Sequence, residues 1–156
     1  MSTDSFRSLF SFIFLCSLSI STALAQHEAP GLLPEADLIV VVENLRLTGG
    51  TLRVSLFQSE SGFPDDPSQA VLYDTVTVRR AYEELHFRGL TPGLYGLGVL
   101  HDEDENGVMS FSTFGIPNEG YACSNNARGF MGPPKFQKAA FQVPPGVSVH
   151  RVRMRY

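Results

Sequence analysis

Apolar and polar residues alternate along most of the chain from Asp37 onwards, a pattern typical of β-strands with one buried face. In TLRVSLF, for example, Leu52, Val54 and Leu56 are separated by Arg53 and Ser55. Seven such runs predict seven strands, whose first residues are Asp37, Thr51, Tyr73, Glu84, Gly93, Lys138 and Val147. The first two runs are separated by a short link that contains TGG, so we expect them to form a hairpin.

A helical signal is visible in DDPSQAVLY, where Asp66 suits an N-cap and Pro67 a first turn. Seven strands with so little helix predict an all-β fold, and we expect a seven-stranded antiparallel β-sandwich of the Ig-like kind. The segment from Phe111 to Phe136 contains no regular pattern, yet it is rich in aromatic residues. We therefore expect one long ordered loop that packs onto the sandwich as a flap.

The first 25 residues differ from the rest of the chain. A basic residue precedes an apolar run, and the run ends in Ala-Leu-Ala immediately before Gln26. Small residues three positions and one position before a bond are typical of cleavage by signal peptidase. A membrane anchor is the alternative, but the run is shorter than the roughly 20 residues of a spanning helix. We predict a signal peptide over residues 1–25, a linker over 26–36 and a β-sandwich domain over 37–156.

Export would place the mature chain in the periplasm or outside the cell, without a transmembrane segment. The formal charge of −4 shows no basic excess, which argues against a nucleic-acid partner. Cleavage would also remove Cys16 and leave Cys123 as the single thiol, so no internal disulfide could form. The stability of the domain would then come from its core and from any bound ion.

The strongest chemical signal lies in the acidic stretch that follows the fifth predicted strand. Asp102, Asp104, Asn106 and Gly107 spell D-x-D-x-N-G. Oxygen side chains at alternating positions, closed by a glycine that permits a sharp turn, can wrap a hard cation with carboxylates and then with a backbone carbonyl. We therefore predict a calcium (Ca²⁺) site whose ligands are Asp102, Asp104, Asn106 and the carbonyl of Val108.

The same motif opens an EF-hand loop, but the rest of that loop is missing. The twelfth position is Thr113 rather than glutamate, and the strand pattern places no helix on either side. Ser110 or Glu119 would have to complete the coordination, with a weak dissociation constant on the order of 10⁻⁴ to 10⁻³ M, as in extracellular modules. The alternative is a solvated turn, because Asp and Asn favour turns without any ion.

A second candidate site lies further along the same segment. Asn125, Asn126 and Arg128 carry two amides and a guanidinium that suit a carbohydrate, peptide or protein ligand. The alternative is that these side chains satisfy backbone groups of the flap itself, since a loop without strand ladders needs such partners.

Catalysis is the other interpretation of the segment, as a hydrolase with its pocket under the 111–136 flap. His101 and Cys123 are the raw material for such an enzyme. Neighbours on a strand point to opposite faces, so His101 and Asp102 do not form a natural pair, and Cys123 has no activating motif. We therefore assign no catalytic residue and favour a protein that is not an enzyme.

Three blocks of the chain carry a resemblance: SLFQSESGFPDDPSQAV, LTPGLYGLGVLHDEDENG and FGIPNEGYACSNNARGFMGPPKFQKAAF. They resemble successive blocks of an uncharacterised exported bacterial family, domain of unknown function 2141, over roughly Asp37 to Tyr156. The resemblance implies a prealbumin-like sandwich without an assigned activity. Ser110 stands near a position where the family pattern usually carries an acidic residue. We expect an exported binding or structural module with calcium as the candidate ion, and the hydrolase is the alternative.

Overall fold

The structure is a computed structural model that describes residues 35–130 and 132–156. The predicted signal peptide and residues 26–34 of the predicted linker lie outside the described residues. Within them the chain forms eight strands: β1 (Ala36–Glu43), β2 (Thr51–Phe57), β3 (Leu72–Thr77), β4 (Tyr82–Leu90), β5 (Gly93–Asp102), β6 (Gly120–Cys123), β7 (Phe141–Val143) and β8 (Gly146–Arg153). The all-β class predicted from the alternating pattern is confirmed.

Helix is confined to three short pieces of the described chain, namely two 3₁₀ turns (Pro67–Gln69 and Ser124–Asn126) and a single α-helical turn, α1 (Phe136–Ala139). The first turn is where the sequence predicts it. The side chain of Asp66 accepts a hydrogen bond from the amide of Ser68, as an N-cap does. No helix in the described part of the chain is long and apolar enough to cross a membrane.

The strands form two sheets that share one hydrophobic core. The first sheet has the order β4-β1-β8, and the second has the order β3-β2-β5-β6 with β7 paired to the beginning of β5. The inward side chains of both sheets belong to one buried cluster, which includes Leu38, Val40, Val42, Val152, Leu52, Val54, Leu56 and Leu97. In β2 and β4 the alternation seen in the sequence therefore marks the faces that meet between the sheets, whereas the alternating residues Val147 and Val149 of β8 are exposed.

Three expectations about the strands are wrong. β1 and β2 do not form a hairpin, because β1 pairs with β4 and β8 while β2 pairs with β3 and β5. The sandwich is not wholly antiparallel, since β1 and β8 run parallel from Ala36↔Gly146 to Glu43↔Arg153. Residues 35–130 and 132–156 contain eight strands rather than seven, because β6 lies inside the segment expected to be one long loop.

The outer face of β5 is covered by other parts of the chain, and two glycines make this close approach possible. A Cβ at Gly98 would overlap the carbonyl of Pro64, and a Cβ at Gly96 would lie 2.8 Å from the ring of Phe136. β5 is therefore buried on both faces over most of its length, although it belongs to a sheet of a two-layer sandwich.

We expect Gly98→Ala to destabilise the domain by about 1–3 kcal/mol, since overpacking beside rigid backbone cannot be relieved by a rotamer change. Gly93→Ala is the matched control on the same strand, because its Cβ would meet no atom closer than 3.8 Å. Chemical denaturation of both variants measures the difference. Equal stabilities would contradict the close packing of the 58–66 segment on β5.

Candidate functional site

Three carboxylates meet where β5 leaves its sheet. Asp102 is the last residue of β5, Asp104 follows in the loop, and Glu119 directly precedes β6. One oxygen from each lies within 4.8 Å of the others. Asp102 and Glu119 are buried, with 0% and 3% of their surfaces exposed, whereas Asp104 is exposed. The strand pairing of β5 with β6 brings Glu119 back beside the motif.

The D-x-D-x-N-G motif forms a tight turn around the side chain of Asp102. Its Oδ1 accepts a hydrogen bond from the amide of Asn106 at 3.0 Å, and its Oδ2 accepts one from the amide of Gly107 at 2.8 Å. Gly107 has a φ of +86°, a conformation that glycine adopts without strain. The Asn106 side chain then accepts a hydrogen bond from the amide of Val108 at 2.8 Å. The four residues predicted as calcium ligands therefore share one turn.

Arg53 neutralises the buried carboxylate of Asp102. It lies on β2, two residues after Thr51, which pairs with Asp102 on β5. Its Nε donates a hydrogen bond to Asp102 Oδ2 at 2.6 Å. Its Nη1 donates to the hydroxyl of Tyr73 at 2.7 Å. Burial raises the pKa of Asp102, but the hydrogen bonds from Arg53 and from the two amides outweigh it and hold the pKa below its usual value. The sequence analysis did not identify this partner, which is 49 residues away.

Glu119 has no such counter-charge. Its Oε1 accepts a hydrogen bond from the amide of Glu103 and its Oε2 one from the amide of Ser110, both at 2.9 Å. No ion pair of Glu119 is present among the described residues. Of the two residues named to complete a coordination shell, Glu119 thus supplies a carboxylate within 4.8 Å of the other two.

Ser110 adds a neutral oxygen beside the exposed carboxylate of Asp104, whereas Asn106 presents its side-chain nitrogen there. This nitrogen donates to Asp104 Oδ2 at 2.9 Å and to Ser110 Oγ at 2.8 Å, and Ser110 Oγ donates to the same carboxylate at 3.2 Å. Asn106 Oδ1 instead accepts a hydrogen bond from the amide of Val108, so the oxygens that cluster beside Asp104 are carboxylate and hydroxyl oxygens. Such a set is typical of hard cations and lacks the nitrogen and sulfur ligands that zinc prefers.

His101 and Cys123 do not form a nucleophile and base. His101 is fully buried, with Nε2 2.8 Å from the carbonyl of Gly49 and Nδ1 2.7 Å from the hydroxyl of Tyr156. Burial raises the pKa of the Cys123 thiol to about 12, so it is not a thiolate at neutral pH. Both ring nitrogens of His101 are thus held by groups of the fold itself.

The polar residues Asn125 and Asn126 hold neighbouring elements together. The Asn125 side chain donates to the carbonyls of Ala139 and Ala140, at 3.2 and 2.9 Å. Asn126 Oδ1 accepts a hydrogen bond from the amide of Arg153 on β8. Arg128 is exposed. The two amides serve backbone groups, as the second interpretation of the sequence allowed, and a ligand at Asn125, Asn126 and Arg128 stays a prediction.

The 111–136 segment is not a single packed flap. It contains β6 and the 3₁₀ turn Ser124–Asn126, and it ends at the first residue of α1. Most of its large apolar side chains are exposed, and the exposed fractions are 58% for Phe111, 90% for Phe114, 63% for Ile116 and 93% for Phe130. Of the aromatic residues in this segment, only Phe136 is buried, and its ring packs against that of Phe63. The expectation that these aromatics fasten the segment to the sandwich is therefore wrong.

Comparison with known proteins supports the resemblance noted in the sequence. The family described as "Uncharacterized protein conserved in bacteria (DUF2141)" matches residues 40–150, which is more than two thirds of the chain and includes every carboxylate of the cluster. Neither a curated protein nor a solved structure matches the chain significantly.

We expect Arg53→Met to destabilise the domain by about 2–3 kcal/mol at pH 7, because it leaves the buried carboxylate of Asp102 without its counter-charge. The value is below that of a fully buried pair, since the Arg53 side chain is 26% exposed. Arg88→Met, which removes an exposed arginine of β4, is the control and should change stability little. Urea denaturation of the two variants gives the comparison, and similar losses would rule out the proposed role of the pair.

The stability of the native chain should fall as the medium is acidified below about pH 4. The folded pKa values of Asp102 and Glu83 lie below their usual range, because hydrogen bonds from arginines and amides overcome the effect of burial. Their stabilisation is complete above the unfolded pKa and is lost as the pH falls through the folded pKa. The deficit of Arg53→Met should narrow over the same window, since a protonated Asp102 needs no counter-charge. Thermal melting between pH 7 and pH 2 tests both trends, and a deficit that is constant with pH would contradict them.

Proposed function

Because the chain belongs to the uncharacterised bacterial family DUF2141, we propose its function from its own site: an exported β-sandwich module with a binding or structural role, stabilised by calcium at the loop between β5 and β6. The ligands proposed are the carboxylates of Asp102, Asp104 and Glu119, the side chain of Asn106 and the carbonyl of Val108. Export rests on the predicted signal peptide at residues 1–25.

The observation that carries the proposal is the buried carboxylate of Glu119 beside two other carboxylates. Counted as ionised, three carboxylates and the guanidinium of Arg53 leave a net charge of −2 in the cluster. Arg53 compensates Asp102, but Glu119 is buried without a counter-charge among the described residues, and an uncompensated buried charge is costly. A divalent cation would neutralise this net charge, whereas an ordinary solvated turn needs no ion.

The kind of oxygen ligands in the cluster suits calcium. The three carboxylate oxygens lie within 4.8 Å of one another, close enough to contact a single cation. Calcium also accepts irregular sets of carboxylate, amide and carbonyl oxygens, whereas magnesium demands a near-octahedral shell.

A hydrolase remains the alternative from another class of function, and the described residues offer it no specific support. The Cys123 thiol is protonated and buried, and both ring nitrogens of His101 are engaged. A cleft of about 580 Å³ lies between β3 and β4, outside the 111–136 segment, and is lined by Thr75–Thr77, Arg79, Arg80 and Glu83. A second cleft of about 500 Å³ borders the end of that segment at Pro134, Lys135 and Phe136, but neither His101 nor Cys123 lines it.

Calcium should raise the melting temperature of the protein. With a dissociation constant on the order of 10⁻⁴ to 10⁻³ M, about 10 mM calcium stabilises the folded state by about 1.4–2.7 kcal/mol. For a domain of this size that corresponds to a rise of roughly 5 to 10 °C. Magnesium at the same concentration should have a smaller effect, and sodium chloride at matched ionic strength should have none of this size.

The site is tested by Glu119→Gln and Asp104→Asn, each of which removes one carboxylate charge and should abolish most of the calcium shift. Glu84→Gln is the matched control, since Glu84 is an exposed carboxylate on β4, away from the cluster, and the shift should persist. Isothermal titration at a temperature where every variant is folded separates weaker binding from lower stability. The proposal is wrong if native protein gives no shift at 10 mM calcium, or if all three variants keep it.

A further inference from the structure

A small exposed hairpin stands next to the acidic cluster. Phe111 and Pro117 form an antiparallel bridge, and the amide of Ser112 donates to the carbonyl of Ile116 at 2.8 Å. We call residues 111–117 the aromatic hairpin. Its large apolar side chains face solvent, with Phe114 at its turn 90% exposed. Val108, just before it, is 64% exposed. Exposed apolar clusters of this kind mark interaction sites in soluble proteins.

The loop that carries the hairpin has no charge. From Gly107 to Asn118 it contains no Asp, Glu, Lys, Arg or His. Its serines are engaged within the loop, because Ser110 contacts Asp104 and Asn106, and Ser112 Oγ accepts a hydrogen bond from the amide of Ile116. The surface that projects is therefore apolar, with few free polar side chains.

Part of the backbone of the hairpin is paired within the loop. In addition to the amides of Ser112 and Ile116, the amide of Gly115 donates to the carbonyl of Ser112, and that of Asn118 to the carbonyl of Ser110, both at 2.9 Å. Backbone groups that are paired inside a loop lower the cost of moving it into a medium without water. This pairing lowers that cost for part of the hairpin.

Charge indicates which apolar environment fits. Exposed carboxylates of Asp104 and Glu105 lie at the base of the loop, immediately before the uncharged stretch. They would remain in water while the tip enters an apolar phase, and they would repel anionic headgroups. We propose that the aromatic hairpin inserts its Phe and Ile side chains into the interface of a lipid bilayer with zwitterionic headgroups.

The insertion is shallow and reversible, because only a few side chains contribute apolar area and the carboxylates at the base stay in water. It does not rest on the proposed calcium site. Vesicle binding in EDTA supports the insertion even if calcium never shifts the melting temperature. A calcium shift without vesicle binding supports the ion site and overturns the insertion.

The chain contains no tryptophan, so Phe114→Trp places a single tryptophan, which can be excited selectively over the tyrosines, at the tip of the hairpin. In EDTA, phosphatidylcholine vesicles should shift its emission to the blue, and brominated acyl chains should quench it. Val147→Trp is the matched control: Val147 is 71% exposed near the start of β8, at the end of the sandwich opposite Asp102, and its emission should not change. Because the emission comes from the hairpin itself, it also distinguishes insertion of the hairpin from vesicle binding through the apolar run of the predicted signal peptide.

A second pair of measurements tests the side chains and the headgroup. The double variant Phe111→Ser, Phe114→Ser is compared with the native protein, both without the predicted signal peptide. The substitutions should lower the vesicle partition coefficient at least about tenfold, because two aromatic side chains no longer become buried in the bilayer. Both residues are exposed, so the variant should melt like the native chain. Unchanged Phe114→Trp emission at millimolar phosphatidylcholine would overturn the proposal. Tighter binding to anionic vesicles in EDTA would overturn the assignment to zwitterionic headgroups.

Discussion

The carboxylate of Asp102 carries a charge into the protein interior, and much of the surrounding chain is arranged to compensate it. β5 brings this residue to full burial at its end, where water cannot solvate the charge. Compensation comes from the Arg53 guanidinium on the adjacent strand and from the amides of Asn106 and Gly107 in the following turn. The turn is therefore wound around the Asp102 side chain, which belongs to the sheet. This contact fixes where the loop leaves the sandwich and where the chain returns to it at Glu119.

This arrangement explains which features were predictable. The D-x-D-x-N-G turn is local, so its residue types indicate both the bend and the kind of ion that the oxygens favour. The same holds for alternation in the strands and for the N-cap at Asp66. The proximity of Asp102 to Arg53 and to Glu119 depends on strand register instead, because these two residues are 49 and 17 positions from Asp102 in the sequence. Register is set by packing between sheets, which a single sequence does not display.

The misplaced features have related physical causes. β6 is only four residues long, Gly120–Cys123, and too short for a recognisable period. The hairpin expected between β1 and β2 assumed that neighbours in sequence pair, but the seven-residue link 44–50 is long enough to carry the chain to the other sheet, and Leu45 in that link is buried. Aromatic side chains after residue 110 were expected to pack because apolar residues usually do. Their exposure sets this loop apart from strands such as β2, in which the alternating apolar positions Leu52, Val54 and Leu56 are buried.

The parallel pairing of β1 with β8 has a consequence for the order of events in biosynthesis. Ala36 of β1 pairs with Gly146 of β8, 110 residues further along the chain, so the three-stranded sheet cannot close until β8 has been made. Contacts between such distant segments carry a high loop-closure cost and form slowly. Until β8 has been synthesised, the edge of β1 that pairs with it has no partner strand. That delay suits the export proposed above, in which the polypeptide crosses a membrane before it folds.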